Sequence, residues 1–368
     1  MHFEMAADAG RGGRVMRIGQ ATAQYEAWLA RHLKLIKKDL TLKHAQMRSA
    51  PFPFLRATYY RWAQIWAHEC GAAARAPKVL AVGDLHVENF GTWRDIEGRL
   101  VWGINDFDEA WSMPYTNDLI RLATSALLAR MNCGGKDGIQ AIVQGYLDGV
   151  KAGGRAFVLA EHHPVLRRMA TARLHDPEAY WDRLHGLKEC ASPAGARKAI
   201  ERLMPEKGLA CRIVHRVAGL GSLGRERYVA LAEWRGGSVA REAKALAPSA
   251  CLWAEDGEGA GPIRYQEILD RAVRCPDPFV RFRKRWIVRR LAPDCSRIEL
   301  SALPKERDEV RLLHAMGFET ANIHLGSVKA RVLHEDLAAR PQDWLLVAAR
   351  RMEKAVLADF KEYRKRPL

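Results

Sequence analysis

Hydrophobic positions along the chain alternate between two periods. From Ala21 to Leu42 they recur at helical steps, with Tyr25, Leu29, Leu33 and Ile36 on one side and Arg31, Lys34, Lys37 and Lys38 on the other. The run P-F-P-F-L-R-A-T-Y-Y-R-W from Pro51 reads as core, and Thr58 is placed to cap a helix ending near Cys70. Arg56 and Arg61 stand out there, because a guanidinium beside an apolar run requires an anionic partner. The helical period then gives way to short apolar runs. Val79 to Val82 and Leu100 to Ile104 read as strands, with a hairpin turn carried by Asp95 and Gly98. After Pro114 helical spacing returns in Leu119, Leu122, Ala123, Ala126 and Leu127, stopping at Gly134-Gly135. Helices are also predicted after Asp137, Asp176-Pro177 and Ser192-Pro193. At Arg212 a strand enters a glycine-rich loop. Tyr228–Trp234, a turn at Gly236-Gly237 and Ser238–Lys244 then form a second hairpin. A helix over Ile263–Arg274, one or two strands within Phe282–Leu291, and helices from Pro304 and from Gln342 to Tyr363 complete an α+β pattern.

The polar residues that interrupt this pattern carry the chemistry. Val82 to Ala110 contains G-D-L-H-V-E-N and, one strand later, N-D-F-D. A carboxylate and an amide, Asp106 and Asn89, offer the hard oxygen ligands that suit Mg²⁺, with Asp108 a weaker ligand. A separate carboxylate, Asp84, is free to orient or deprotonate a hydroxyl. The order D-x-x-x-x-N, strand, Asp matches the protein-kinase catalytic loop and its metal-binding Asp. His86, in the position where protein kinases carry Lys, makes the stretch resemble the aminoglycoside and choline kinase branch. Asp84-Leu85-His86 also fits the start of a two-metal phosphoesterase, but the G-D-x-x-D and G-N-H elements of that class are absent from the sequence. Asp118 has two readings, a helix-start residue or a side chain bonded to the backbone of the Asp84 loop.

Gly219, Gly221 and Gly224 match G-x-G-x-x-G. A dinucleotide fold needs a helix and a crossover strand next, and the eleven residues before Gly236 are too few for both. A hairpin fits, with Gly219, Gly221, Ser222 and Gly224 covering phosphates and Lys244 on the following strand binding them. Glu267 is the candidate partner of Lys244, with a solvated surface position as the alternative, and Glu242 shares the strand face of Lys244. If both motif sets serve one site, Lys244 lies across a cleft from Asp106.

Composition narrows the class. The chain has 368 residues and is 48% hydrophobic, enough for a two-lobed enzyme. A net charge of +16 favours anionic partners. No aromatic-and-basic motif for nucleic acid occurs, and no apolar window is long enough for a membrane span. Seven cysteines without C-x-x-C spacing, and Glu4 and Asp8 in a glycine-rich start expected to be mobile, point to a cytoplasmic protein without disulfides or zinc. His162, His163 and His175 fit no metal spacing.

The kinase-like pieces stand in reversed order, since Asp84, Asn89 and Asp106 precede Gly219 and Lys244. The expected fold is therefore a two-lobed protein-kinase-like fold, circularly permuted. Its parts are a helical segment over 1–76, a catalytic part over 77–210, a nucleotide-covering sheet over 211–303 and closing helices over 304–368. The chain also resembles the bacterial family called domain of unknown function 2252. The likeness rests on M-R-S-A-P-F-P-F-L-R-A, G-D-L-H-V-E-N-F-G, N-D-F-D-E-A, D-L-I-R-L-A-T-S and V-A-G-L-G-S-L-G followed by K-A-L-A-P-S. The family pattern has F-R-G where this chain has Leu55-Arg56-Ala57, and K-E-A where it has Lys244-Ala245-Leu246. The resemblance implies a protein-kinase-like assignment without a defined substrate. The expected function is ATP- and Mg²⁺-dependent phosphate transfer to an unknown small-molecule hydroxyl, with a non-catalytic nucleotide-binding regulator as the alternative.

Overall fold

A computed structural model describes residues 16–129, 135–172, 176–295 and 306–365. The glycine-rich start before residue 16, Cys133, Gly134, His175 and Pro304 lie outside the described residues. The described chain is mixed α+β, with three small antiparallel sheets set among helices.

The first helices are α1 (Ile18–His32), α2 (Lys37–Met47), α3 (Pro51–Ala57) and α4 (Tyr59–Cys70). The single helix expected over 21–42 is thus broken. At the break Leu35 pairs as a β-bridge with Arg225, and the Ile36 N–H donates to Gly224 O at 2.8 Å. The backbone leaves the helix to meet the glycine-rich loop. Thr58 does not cap α4, because its hydroxyl donates backward to Phe54 O at 2.7 Å. Both early arginines have anionic partners. Arg61 bonds Asp359 at 2.8 Å and Arg56 bonds Glu88.

Four strands follow: β1 (Lys78–Ala81), β2 (Phe90–Arg94), β3 (Leu100–Ile104) and β4 (Trp111–Pro114). β1 pairs with β4, and β2 forms the expected hairpin with β3. Next come α5 (Thr116–Leu128), α6 (Lys136–Lys151), β5 (Phe157–Val158), α7 (Pro164–Thr171), α8 (Pro177–His185) and α9 (Ala194–Glu201). Asp176 caps α8 by accepting from Ala179 N at 2.9 Å. The five-stranded sheet has the order β6 (Arg212–His215), β7 (Arg227–Trp234), β8 (Gly237–Ala245), then β10 (Trp286–Leu291) and β9 (Arg281–Arg283). Between β8 and β9 lie α10 (Ala250–Asp256) and α11 (Tyr265–Arg271). The chain closes with α12 (Glu306–His324), α13 (Ala330–Ala338) and α14 (Trp344–Arg364).

α12 packs on α6 with almost no side-chain spacer. A Cβ at Gly145 would fall 1.9 Å from His314 O, and one at Gly317 would fall 2.1 Å from Ile142 O. That approach brings Glu319 to β3, where it accepts from Ile104 N at 3.2 Å, and His324 to the end of β1 through Asp118.

Candidate functional site

The loop after β1 is held by its own backbone. Gly83 has φ of +82°, and a Cβ there would sit 2.4 Å from Glu109 O, so only glycine fits before Asp84. Asp118 accepts from Val82 N at 2.7 Å and from Gly83 N at 2.9 Å. The loop-binding reading of Asp118 therefore holds, although it also lies in the first turn of α5. His324 Nε2 stands 3.0 Å from Asp118, and both side chains are fully buried.

Asp84 presents its two oxygens differently. Oδ1 is bonded by Arg121 Nε at 2.8 Å and by Arg121 Nη2. Arg121 has no exposed surface and lies 4.9 Å from the ring centroids of both Tyr59 and Trp62, so it is fixed in place. Oδ2 is the oxygen left toward the pocket. Burial pushes the Asp84 carboxyl above its ordinary value, against the charges of Arg121 and Arg56. His86 is buried, accepts from Glu88 N at 3.2 Å and meets Phe52 edge-on, which places it in the shaping of the loop.

Asn89 ties this loop to the next acidic cluster. Its Nδ2 donates to Asp84 O at 3.4 Å and to Asp106 O at 3.1 Å, which leaves Oδ1 as the atom it can offer a cation. Lys244 reaches the same place from β8. Its Nζ is 3.0 Å from both Asp106 oxygens and 2.7 Å from Asp108 Oδ2, across 138 and 136 positions of sequence. Burial raises the Asp108 carboxyl to about 6, helped by the negative charge of Asp106. Burial acts the same way on Asp106, but the Lys244 ammonium outweighs it and holds Asp106 well below the usual carboxylate range. Lys244 itself is lowered by burial.

The glycine-rich loop joins β6 to β7 over these groups. A Cβ on Gly221 would lie 3.0 Å from Arg56 O and 3.4 Å from Asp84 Oδ2, so the loop passes directly over the carboxylate. Gly219, Leu220, Gly221 and Ser222 line one pocket with Asp84, Asn89, Asp106 and Asp108. Ser222 Oγ accepts from Arg227 at 2.7 Å, and Gly224 turns at φ of +92° against Leu40. Arg56 lines this pocket too.

Glu267 does not reach Lys244. It lies on α11 and pairs within that helix's own neighbourhood, with Arg264 and Arg271, each at 3.2 Å. Asp106 and Asp108 take the carboxylate role at Lys244, while Glu242 pairs with Arg216 and Arg227 on the other side. Three further cations belong to the site. Arg121 was visible as the single basic residue inside an apolar helix. Arg225 bonds Glu109 at 3.0 Å. Lys43 on α2 donates to Gly221 O at 3.3 Å, and burial pushes it down to about 8. Neither of the last two has a periodic signal.

Among the described residues, no three His, Cys, Asp or Glu side chains form a ready-made metal cluster. The donors present are two carboxylates and one amide oxygen, which fits Mg²⁺ of the kind that completes its shell with phosphate oxygens and water. Among the described residues no helix is long and apolar enough to cross a membrane. No curated protein and no solved structure matches the chain. Residues 35–151, which hold both acidic clusters and α5 behind them, match the model of the family described as an uncharacterized protein conserved in bacteria, DUF2252, and over that segment the resemblance to the family is borne out.

Proposed function

We propose that the protein is a phosphotransferase of permuted protein-kinase-like fold, moving the terminal phosphate of ATP to a small-molecule hydroxyl with Mg²⁺. One observation carries the reading. Asp84, Asn89, Asp106 and Asp108 from one part of the chain and the Gly219–Ser222 loop from another line one pocket, with Lys244 bonded to both Asp106 and Asp108. The two motif sets, 138 positions apart at Asp106 and Lys244, thus meet in one largely buried pocket, the arrangement that a shared nucleotide site needs.

Asp84 Oδ2 faces the pocket and accepts the hydroxyl proton, while Arg121 holds Oδ1 and fixes the direction of the carboxylate. Asn89 Oδ1, Asp106 and Asp108 would hold the metal ion. When bound, Mg²⁺ supplies charge neutralisation on the phosphate oxygens. Lys244 keeps Asp106 ionised and offers its ammonium to the phosphates. The Gly219–Gly224 backbone covers them, and Lys43 adds a cation at the loop.

ATP titration by calorimetry with and without Mg²⁺, followed by a screen of hydroxylated metabolites for γ-phosphate transfer, tests the proposal. Tighter binding with Mg²⁺, lost in Asp106→Ala, is the expected result. Failure of any nucleotide to bind ends it. The Arg121 bond to Asp84 favours one alternative, a nucleotide-binding regulator without transfer, because the buried guanidinium occupies Oδ1 and opposes the rise that burial gives the carboxyl. Nucleotide binding that depends on Asp106 and Lys244, without turnover on any acceptor, would select that alternative.

A further inference from the structure

A second cavity, of about 770 Å³, opens beyond Gly219, between the five-stranded sheet and the β2–β3 hairpin. This volume is within the range of small-molecule sites. Among the described residues its wall carries six arginines, Arg183, Arg216, Arg227, Arg274, Arg289 and Arg290, against two carboxylates, Glu242 and Asp277. The two acids do not balance the six cations. Glu242 is shared by Arg216 at 2.5 Å and Arg227 at 2.7 Å. Asp277 accepts from the backbone N–H of Phe279 at 2.9 Å. Arg290 has its own partner in Asp294, at 3.2 Å.

Arg274 and Arg289 are left with neutral partners. Arg274 donates to Ile104 O at 2.8 Å and stacks on Trp93 with 4.5 Å to the ring centroid. Arg289 donates to the Tyr265 hydroxyl at 3.1 Å. The Nε of each is buried without a hydrogen-bond acceptor, and among the described residues neither forms an ion pair. Both guanidiniums are part-buried, and although Glu319 and Asp277 act on Arg274, and Asp106, Glu242 and Asp108 on Arg289, through their charge, no carboxylate among the described residues hydrogen-bonds either fork, so a ligand carrying negative oxygens would give each a direct partner. Guanidinium forks match phosphate oxygens two at a time, whereas a single carboxylate would satisfy one fork.

We propose that this arginine-lined basin is an oligophosphate site, in which Arg274 and Arg289 bind a chain of two or three linked phosphates. The site is contiguous with the acidic pocket, because Gly219 lines both and Arg227 bridges Glu242 in the basin to Ser222 in the glycine-rich loop. The proposal does not rest on phosphate transfer, since it concerns binding alone. Two sources share the required chemistry, the phosphate tail of a nucleotide and a separate phosphorylated ligand.

Calorimetric titration of the full chain with sodium tripolyphosphate, without metal, tests it. Wild-type protein is expected to bind, and Arg289→Gln and Arg274→Gln are each expected to weaken binding about ten- to a hundredfold, as for a lost hydrogen bond to a charged group. Arg331→Gln, on the exposed face of α13, is expected to leave affinity unchanged. Absence of binding at millimolar tripolyphosphate, or wild-type affinity in both glutamine variants, overturns the proposal. Should both variants fail to fold, Arg289→Lys keeps the charge and loses the fork, and unchanged affinity there overturns it equally. Competition with ATP identifies the source. Displacement of tripolyphosphate by ATP assigns the basin to a nucleotide tail, and retention in saturating ATP assigns it to a separate phosphorylated ligand.

Discussion

Glu319 offers a prediction whose size follows from its surroundings. The side chain is 1% exposed on α12, with Oε1 bonded to Ile104 N and Oε2 bonded to Asn322 Nδ2 at 2.8 Å. Gly103 makes the cage tight, because a Cβ there would lie 2.3 Å from Oε1. Burial raises the carboxyl from its ordinary 4.5 to about 7, and the charge of Arg274 only partly opposes this. Each pKa unit is worth about 1.36 kcal/mol, so the rise corresponds to roughly 3 kcal/mol. The folded state holds the proton more tightly than the unfolded chain does. The contribution of Glu319 to stability is therefore full below about pH 4.5 and is lost as pH rises through about 7. Glu319→Gln mimics the protonated acid at every pH. Urea unfolding of both proteins from pH 4.5 to 8 isolates this one group, since the other carboxylates cancel in the difference. Relative to the variant, wild-type stability should fall by roughly 3 kcal/mol across that range. Parallel profiles would show that the Glu319 site does not favour the neutral acid, and the reasoning from burial would be wrong.

Other outcomes follow from the same geometry. Asp84→Asn should cut phosphate transfer about 10²–10⁴-fold while ATP affinity, measured by calorimetry, stays within about a few-fold. Asp106→Ala should remove the Mg²⁺ dependence of ATP binding in the same assay, because it deletes a carboxylate oxygen donor. Gly145→Ala should destabilise the protein by about 1–3 kcal/mol in urea unfolding, because its Cβ meets the backbone carbonyl of His314, which has no rotamer to yield.

Much of this architecture is written locally in the chain. The β2–β3 and β7–β8 hairpins are readable because a short apolar run, Leu100–Ile104 in one and Tyr228–Leu231 in the other, adjoins a turn, Asp95–Gly98 or Gly236-Gly237. The approach of Lys244 to Asp106 followed from treating two incomplete motifs as one site. Where partners come from distant segments, spacing is silent. Nothing in the short run of β4 announces its pairing with β1, since four residues ending in Pro114 carry no period. The break between α1 and α2 has no local breaker, because Gly224 in the loop competes for the Ile36 N–H. Glu267 stands on a helix after β8, yet Arg264 just before that helix and Arg271 at its end satisfy it first.

The contact of α12 with α6 has a consequence for how the molecule is made. His324 braces Asp118 across 206 positions, and Glu319 braces Ile104 across 215. Both supports reside on a helix that leaves the ribosome after most of the polypeptide. The loop that carries Asp84 thus emerges early and waits for its struts. Closing such long chain loops is entropically slow, and the reward comes only once both ends meet. Shape at the acidic pocket is accordingly a late event in biogenesis. A chain arrested before α12 would display the residues of the pocket without the frame that aims them.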